Sequence, residues 1–366
     1  MTLSTDDRPA KARPDDLNTL TFRQAGATVA LHTSSAAAVR AARDTFYAYR
    51  LDHAADPAWH VTVDTRQPAP TQPEPLVSAS TACEIGPRLT AYRRDDQWWI
   101  PDLDSLVHLD QRARHLTVRC PESAAPHWSV RLVRQLMTGQ LLTDGAVYAH
   151  AAAFTTTAGK GVAVAGRKGQ GKTTTLLAAL RHLGANYFSN DRILLHRADP
   201  GVAAEAWPQR VHVGVGTLSA FPDLVDLVPA HLRAFAGADL WGYPHKVIIE
   251  PPAFSRLLSG GMVAGSCAVN MLVWPCLTAG RRDAAAELVP PGEVRDTLVA
   301  TRMFMVDPAG GYAAHINHWL GTASSTDRDV RDIADRIATT TPCFRLYGGT
   351  SPVAIATVLS ELLAMG

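Results

Sequence analysis

The sequence predicts an α/β protein in which a small α+β module, residues 19–125, precedes a larger α/β domain, residues 126–366, behind a loose charged tail at 1–18. Three observations carry this expectation. The chain has 366 residues and is 46% hydrophobic, enough for about two domains with real cores. Short alternating apolar segments recur between residues 20 and 118, with one helical stretch among them. Further on, a buried-strand pattern at 162–165 runs into a glycine-rich loop and then a helical pattern that stops at Gly184.

In order, residues 20–22 and 28–31 alternate as strands, and Val39, Ala42, Phe46 and Tyr49 fall at helical spacing across 36–51. Residues 60–63 form another strand pattern. The proline-rich connector at 67–75 cannot lie in a sheet interior. Residues 97–100, 105–109 and 116–118 predict short antiparallel strands. Trp128, Val130, Val133, Leu136, Met137 and Leu141 give a helix over 127–142 with one apolar face. A strand at 147–154 and the strand at 162–165 are joined too closely for a parallel crossover, which predicts an antiparallel hairpin. Acids alternate with arginines over 327–336 as on a solvated helix face, and Ser351-Pro352 opens a last helix reaching Met365.

The strongest signal is Gly166-Arg167-Lys168-Gly169-Gln170-Gly171-Lys172-Thr173, which matches G-x-x-x-x-G-K-S/T at every fixed position. Glycines let successive backbone N–H groups converge on phosphate oxygens, and the following helix adds the positive end of its dipole. Lys172 has the length to reach β- and γ-phosphates, the Thr173 hydroxyl can ligate Mg²⁺, and Lys168 and Thr174 flank the same turn. Nineteen positions beyond Lys172, Asn190-Asp191-Arg192 sits at a strand edge, so Asp191 can lie beside a bound triphosphate. No base-reading NKxD motif is present, which favours ATP over GTP.

His150-Ala151, the loop at 166–173 and Ser189-Asn190-Asp191-Arg192, in this order, resemble the catalytic core of the HPr kinase/phosphorylase family. That family extends to kinases of peptide natural products. The resemblance is specific over residues 145–196 and implies a P-loop kinase core akin to the nucleotide domain of phosphoenolpyruvate carboxykinase. It also implies ATP with Mg²⁺, a serine-like hydroxyl on a peptide or an alcohol on a small metabolite as acceptor, and assembly into homo-oligomeric rings. On this reading Thr173 and Asp191 hold the metal, and Asp191, His150 and Lys172 do the chemistry. The family's paired aspartates are here Asn190-Asp191. An amide cannot serve as a general base, so either Asp191 or His150 must accept the proton. The family's later glutamate ligand has only Glu205 as a weak counterpart. Loss of the first aspartate supports a rival reading, a non-catalytic nucleotide sensor or regulatory ATPase with a degenerate kinase site.

Further accessory candidates are Arg192, Lys246 and Arg302, the last two in Tyr243-Pro244-His245-Lys246 and Ala300-Thr301-Arg302. His315 and His318 lack a third ligand nearby and read as helix-surface residues rather than a zinc site. With 35 basic against 34 acidic side chains, composition gives nucleic-acid binding no support and excludes an acidic disordered chain. Five lysines among the 35 basic residues, with abundant alanine, fit a GC-rich bacterial genome. Five scattered cysteines without a C-x-x-C pair predict reduced thiols and a cytoplasmic protein. No apolar run is long enough for a signal or a membrane span, so no membrane partner is expected.

Overall fold

Alternating apolar and polar residues in the first third of the chain build one nine-stranded sheet. The computed structural model describes residues 17–51, 56–67, 81–86, 89–235, 237–263, 265–300, 303–304 and 326–365. Residues 1–16 of the tail expected at 1–18, most of the proline connector, Arg302, His315 and His318 lie outside the described residues, and Asn18, expected in the tail, already pairs in the first strand. The first strands are β1 (Asn18–Gln24), β2 (Ala27–Thr33), β3 (Arg50–Leu51), β4 (Trp59–Asp64) and β5 (Thr81–Gly86). They are followed by β6 (Leu89–Arg94), β7 (Gln97–Ile100), β8 (Ser105–Asp110) and β9 (His115–Arg119). Their spatial order is β3-β1-β2-β4-β9-β8-β7-β6-β5. β2 with β4 and β4 with β9 are parallel; the other pairs are antiparallel.

Helix α1 (Ala36–Thr45) is capped by Ser35, whose Oγ accepts from Ala38 N–H at 3.0 Å. The helical periodicity expected to reach residue 51 stops at Thr45. Phe46 and Tyr49 turn into the core, and Arg50–Leu51 pairs with β1, so tertiary pairing overrides the helical pattern.

Helix α2 (Ala125–Thr143) begins just ahead of the expected start and packs on α1, β2 and β4. Trp128 is fully buried and its indole N–H donates to Ser105 Oγ at 2.7 Å. The same helix meets the second sheet, where Thr138 Oγ1 accepts from the Trp207 indole at 2.7 Å. One continuous apolar core therefore runs from Phe22 and Val61 through Trp128 and Leu132 to Tyr148 and Ile193.

The second part contains β10 (Val147–Ala149), β11 (Ala151–Thr155), β12 (Gly161–Ala165), β13 (Asn186–Ser189), β14 (Ile193–Arg197) and β15 (Val202–Ala206). Then come β16 (Val211–Gly214), β17 (Lys246–Ile249), β18 (Ser266–Leu277), β19 (Ala284–Leu288) and β20 (Cys343–Gly348). The order is β10-β14-β15-β18-β12-β11-β13, with β20 paired to β18 and β19, and β16 and β17 form a separate hairpin. β18 runs parallel to β12 and β20, and its pairing with β15 is antiparallel, so this sheet is also mixed. The hairpin expected before the loop is present as antiparallel β11 and β12. The strand expected over 147–154 is two strands, because β10 pairs with β14 while β11 pairs with β12 and β13. The chain changes partners at His150, whose N–H donates to Met303 O at 2.6 Å.

Helix α3 (Lys172–His182) follows the loop and packs against α6 (Pro352–Met365) and β11. Helices α4 (Pro291–Ala300) and α5 (Asp327–Thr340) pack together, α5 starting in a capping box between Thr326 and Asp329. The molecule is thus a mixed α/β protein with two large mixed sheets. Among the described residues, no helix is long and apolar enough to cross a membrane.

Candidate active site

The site begins where β12, buried along its whole length, ends at Ala165 and the chain turns into α3. Gly166, Gly169 and Gly171 hold φ of 152°, 87° and 106°, a region that side chains resist. At Gly171 a Cβ would also lie 2.5 Å from Leu277 Cδ1, so both the backbone and the space demand glycine. Gln170 braces the turn: its Oε1 accepts from Arg167 N–H at 2.6 Å and its carbonyl from Leu277 N–H at 3.1 Å. No side chain caps α3, and the first bond closing its opening turn is Thr175 N–H to Gly171 O at 2.9 Å. Unbonded N–H groups at a helix start, together with its dipole, attract an anion.

The structure sorts the loop residues. Gln170 spends its side chain inside the turn. Thr174 is fully buried with its Oγ1 2.9 Å from Thr217 Oγ1, so only its backbone faces the helix start. Thr173 is half-buried in the first turn, and Lys168 is exposed. Lys172 is buried, and its ammonium donates to Gly166 O at 2.6 Å and Arg167 O at 3.2 Å. Burial lowers its pKa to about 8; the charge of Asp191 opposes this and that of Lys246 adds to it.

Strand register brings the other residues together. Ala149 lies opposite Ile193 and Ala153 opposite Ser189, so the β10–β11 break and the β13–β14 turn meet. His150 occupies the break and 190–192 the turn. His150 Nε2 is 3.1 Å from Asp191 Oδ1, and Arg192 Nε is 3.2 Å from Asp191 Oδ2. Burial alone would raise the Asp191 pKa, but the His150 hydrogen bond and the charges of Arg192, His150 and Lys172 hold it well below the usual carboxylate range.

Asn190 takes a different place. It is 3% exposed, and its Oδ1 accepts from Gln209 Nε2 at 3.1 Å and from the Tyr187 hydroxyl at 3.4 Å. It does not line the cleft beside Asp191. Glu205 is also outside the cleft, buried on β15 with His196 Nε2 at 3.2 Å.

His150, Asp191, Arg192, Lys168 and Lys246 open onto one cleft of about 750 Å³. Lys246 reaches it from the start of β17. Residues that the sequence reading missed make up much of the remaining wall: Arg131 and Arg134 on α2, then Trp207, Gln209, Arg210 and His212. The available signal was two arginines three positions apart on a helix with no carboxylate to pair them. Among the described residues no group of three or more His, Cys, Asp or Glu is arranged to hold a metal ion.

No protein-family model and no curated protein matches the chain. What the site can do therefore follows from its geometry: a helix start with unbonded N–H groups, a buried lysine on the same loop, and a carboxylate–imidazole pair facing one basic cleft.

Proposed function

We propose that this chain is a P-loop kinase of the HPr-kinase-like type, moving the γ-phosphate of ATP to a hydroxyl on a peptide or small metabolite. The observation that carries the reading is the His150–Asp191 pair opening onto the cleft, with Asp191 near enough for its charge to act on the buried Lys172 of the loop. In such a site the protein's work is positioning and charge neutralisation. The loop N–H groups and Lys172 bind the phosphates, the ammonium exchanging its two carbonyl partners for phosphate oxygens. His150, held by Asp191 through Nε2, takes the proton of the acceptor hydroxyl. Asp191 is too acidic to be a good base; it orients His150 and stabilises the imidazolium. As the acceptor oxygen bonds to the γ-phosphorus, the bond to the β–γ bridging oxygen breaks and ADP leaves.

Thr173 and Asp191 are the residues that would hold Mg²⁺, whose chemistry there is to neutralise charge on the phosphates. One carboxylate and one hydroxyl fit an ion that is commonly completed by phosphate oxygens and water.

The rival, a nucleotide sensor or regulatory ATPase, draws on Asn190, which cannot accept a proton. Its burial between Tyr187 and Gln209, away from the cleft wall, makes it a brace for the turn instead. The test is incubation with γ-labelled ATP, Mg²⁺ and panels of peptide and metabolite hydroxyls. Label on an acceptor, lost in Lys172→Ala and Asp191→Asn, supports the kinase. Nucleotide binding without transfer, unaffected by Asp191→Asn, supports the sensor, and acceptor-independent hydrolysis supports the ATPase.

A further inference from the structure

The cleft is far more basic than a triphosphate site needs. Six lysine and arginine side chains line it (Arg131, Arg134, Lys168, Arg192, Arg210, Lys246) against one carboxylate, Asp191, among the described residues. These charges form two neighbourhoods. Lys172 is influenced by Asp191 and Lys246, on the loop side. Arg134 is influenced by Arg192, Arg131 and Arg210 instead. Asp191 and Arg192, adjacent in sequence and paired with each other, join the two.

The arginine neighbourhood is a built surface. The guanidinium carbons of Arg134 and Arg192 lie 4.4 and 4.7 Å from the centre of the buried Trp207 ring, and the ring is fixed by its bond to Thr138. Arg131 is itself buried and donates to Ile85 O in the first sheet. Arg134 makes one long bond, to Pro208 O at 3.4 Å, and its buried Nε has no hydrogen-bond partner among the described residues. Holding like-charged guanidinium groups together, with a donor left over, is costly unless an anion joins them. Arg210, at the edge of the group, has a carboxylate beside it, Glu250 at 2.8 Å.

We propose that the acceptor is itself an anion: while its hydroxyl faces His150 and Asp191, a carboxylate or phosphate on the same molecule sits on Arg134, Arg131 and Arg192. This rests on the kinase reading for the role of the hydroxyl, whereas the anion subsite stands on its own geometry. It also gives the first module a task. Arg131 and Arg134 come from α2, which is seated on α1, β2 and β4, so that module shapes the acceptor side of the cleft. A bidentate guanidinium suits either oxyanion, and the two sources are separated by probe.

The test uses the full chain and a matched series with a common hydroxyl skeleton: glycerol, glycerate and glycerol 3-phosphate. Binding is measured by calorimetry on protein saturated with a non-hydrolysable ATP analogue and Mg²⁺, and again without nucleotide. The expected result is binding of glycerate, glycerol 3-phosphate or both at least ten-fold tighter than glycerol, the stronger one naming the anion. In Arg134→Gln that preference falls at least ten-fold while affinity for the ATP analogue is unchanged, which also shows the variant is folded. Arg134→Lys keeps the charge and loses the fork, and restores only part of the preference. The proposal is overturned if neither anion binds better than glycerol, or if Arg134→Gln weakens the ATP analogue instead, which would assign the arginines to the nucleotide. Failure of the analogue to bind wild-type protein sinks the kinase reading alone, and the nucleotide-free series still decides the anion subsite.

Discussion

Replacing Lys172 with methionine separates what its ammonium costs the fold from what it gives the site. The side chain is 7% exposed, and burial takes its pKa from 10.5 to about 8. A charged group so depressed in the folded state destabilises that state below about pH 8. The penalty fades as pH rises from about 8 to 10.5, where the unfolded chain holds the proton and the folded chain has released it. A fall from 10.5 to about 8 means that the ammonium costs the nucleotide-free protein roughly 3 kcal/mol at pH 7. Methionine removes that cost but leaves Gly166 O and Arg167 O without their lysine partner, a constant loss of about 1–3 kcal/mol. The absolute stabilities can therefore lie close together at pH 7, yet their difference must move with pH. Urea unfolding of both proteins at pH 7, 8, 9 and 10 should show the wild type gaining roughly 2–3 kcal/mol on the variant across the series. A non-hydrolysable ATP analogue at 100 times its Kd should add about 2.7 kcal/mol to the wild type and nothing to Lys172→Met. Parallel stability–pH curves would refute the reasoning, since they would mean that the lysine is not desolvated in the loop.

Asp191→Asn should lower phosphoryl transfer by roughly 100-fold or more, because His150 loses the carboxylate that orients it; a steady-state assay within ten-fold of wild type would remove Asp191 from the chemistry. Asn190→Ala should cost about 1–3 kcal/mol in denaturant unfolding, through the Tyr187 hydroxyl left unpaired in the interior and the Gln209 amide released at the cleft wall. Gly171→Ala should destabilise by about 2 kcal/mol or more, with φ at 106° and Leu277 in the way, and should abolish binding of the ATP analogue. Acid should weaken the first sheet. His32 sits between Thr19 Oγ1 and His60 Nδ1, each 3.0 Å away, and burial followed by the charges of His60 and His115 lowers its pKa to about 4. Neutral in the fold and protonated when unfolded, it should cost stability as pH falls from 6.5 to about 4, by about 2 kcal/mol after allowance for its partial exposure. Replacing it with glutamine should flatten that part of the stability–pH curve.

The sequence by itself determined the elements whose cause is local. The loop from Gly166 to Thr173 needs glycine where φ is positive and a helix start beyond it, and both requirements are written in adjacent residues. The antiparallel β11–β12 hairpin followed from a connection too short for anything else, and the amphipathic face of α2 from its 3.6-residue period. Tertiary structure decided whatever depends on partners far along the chain. The helical pattern over 36–51 ended at Thr45 because Arg50–Leu51 found β1, and the strand over 147–154 broke at His150 because its halves pair with different neighbours. That break meets the turn at 190–192 through register alone, and no spacing in the sequence reports it. Nor does any spacing reveal that Asn190 is locked to Gln209 while Asp191, one residue on, faces the cleft. Arg131 and Arg134 looked like ordinary helix residues for the same reason. An arginine becomes part of a site only when a distant tryptophan, here Trp207, stacks beneath it and a second guanidinium is held beside it. Local sequence fixes which bonds a segment can make with itself; the cleft is made of bonds between segments.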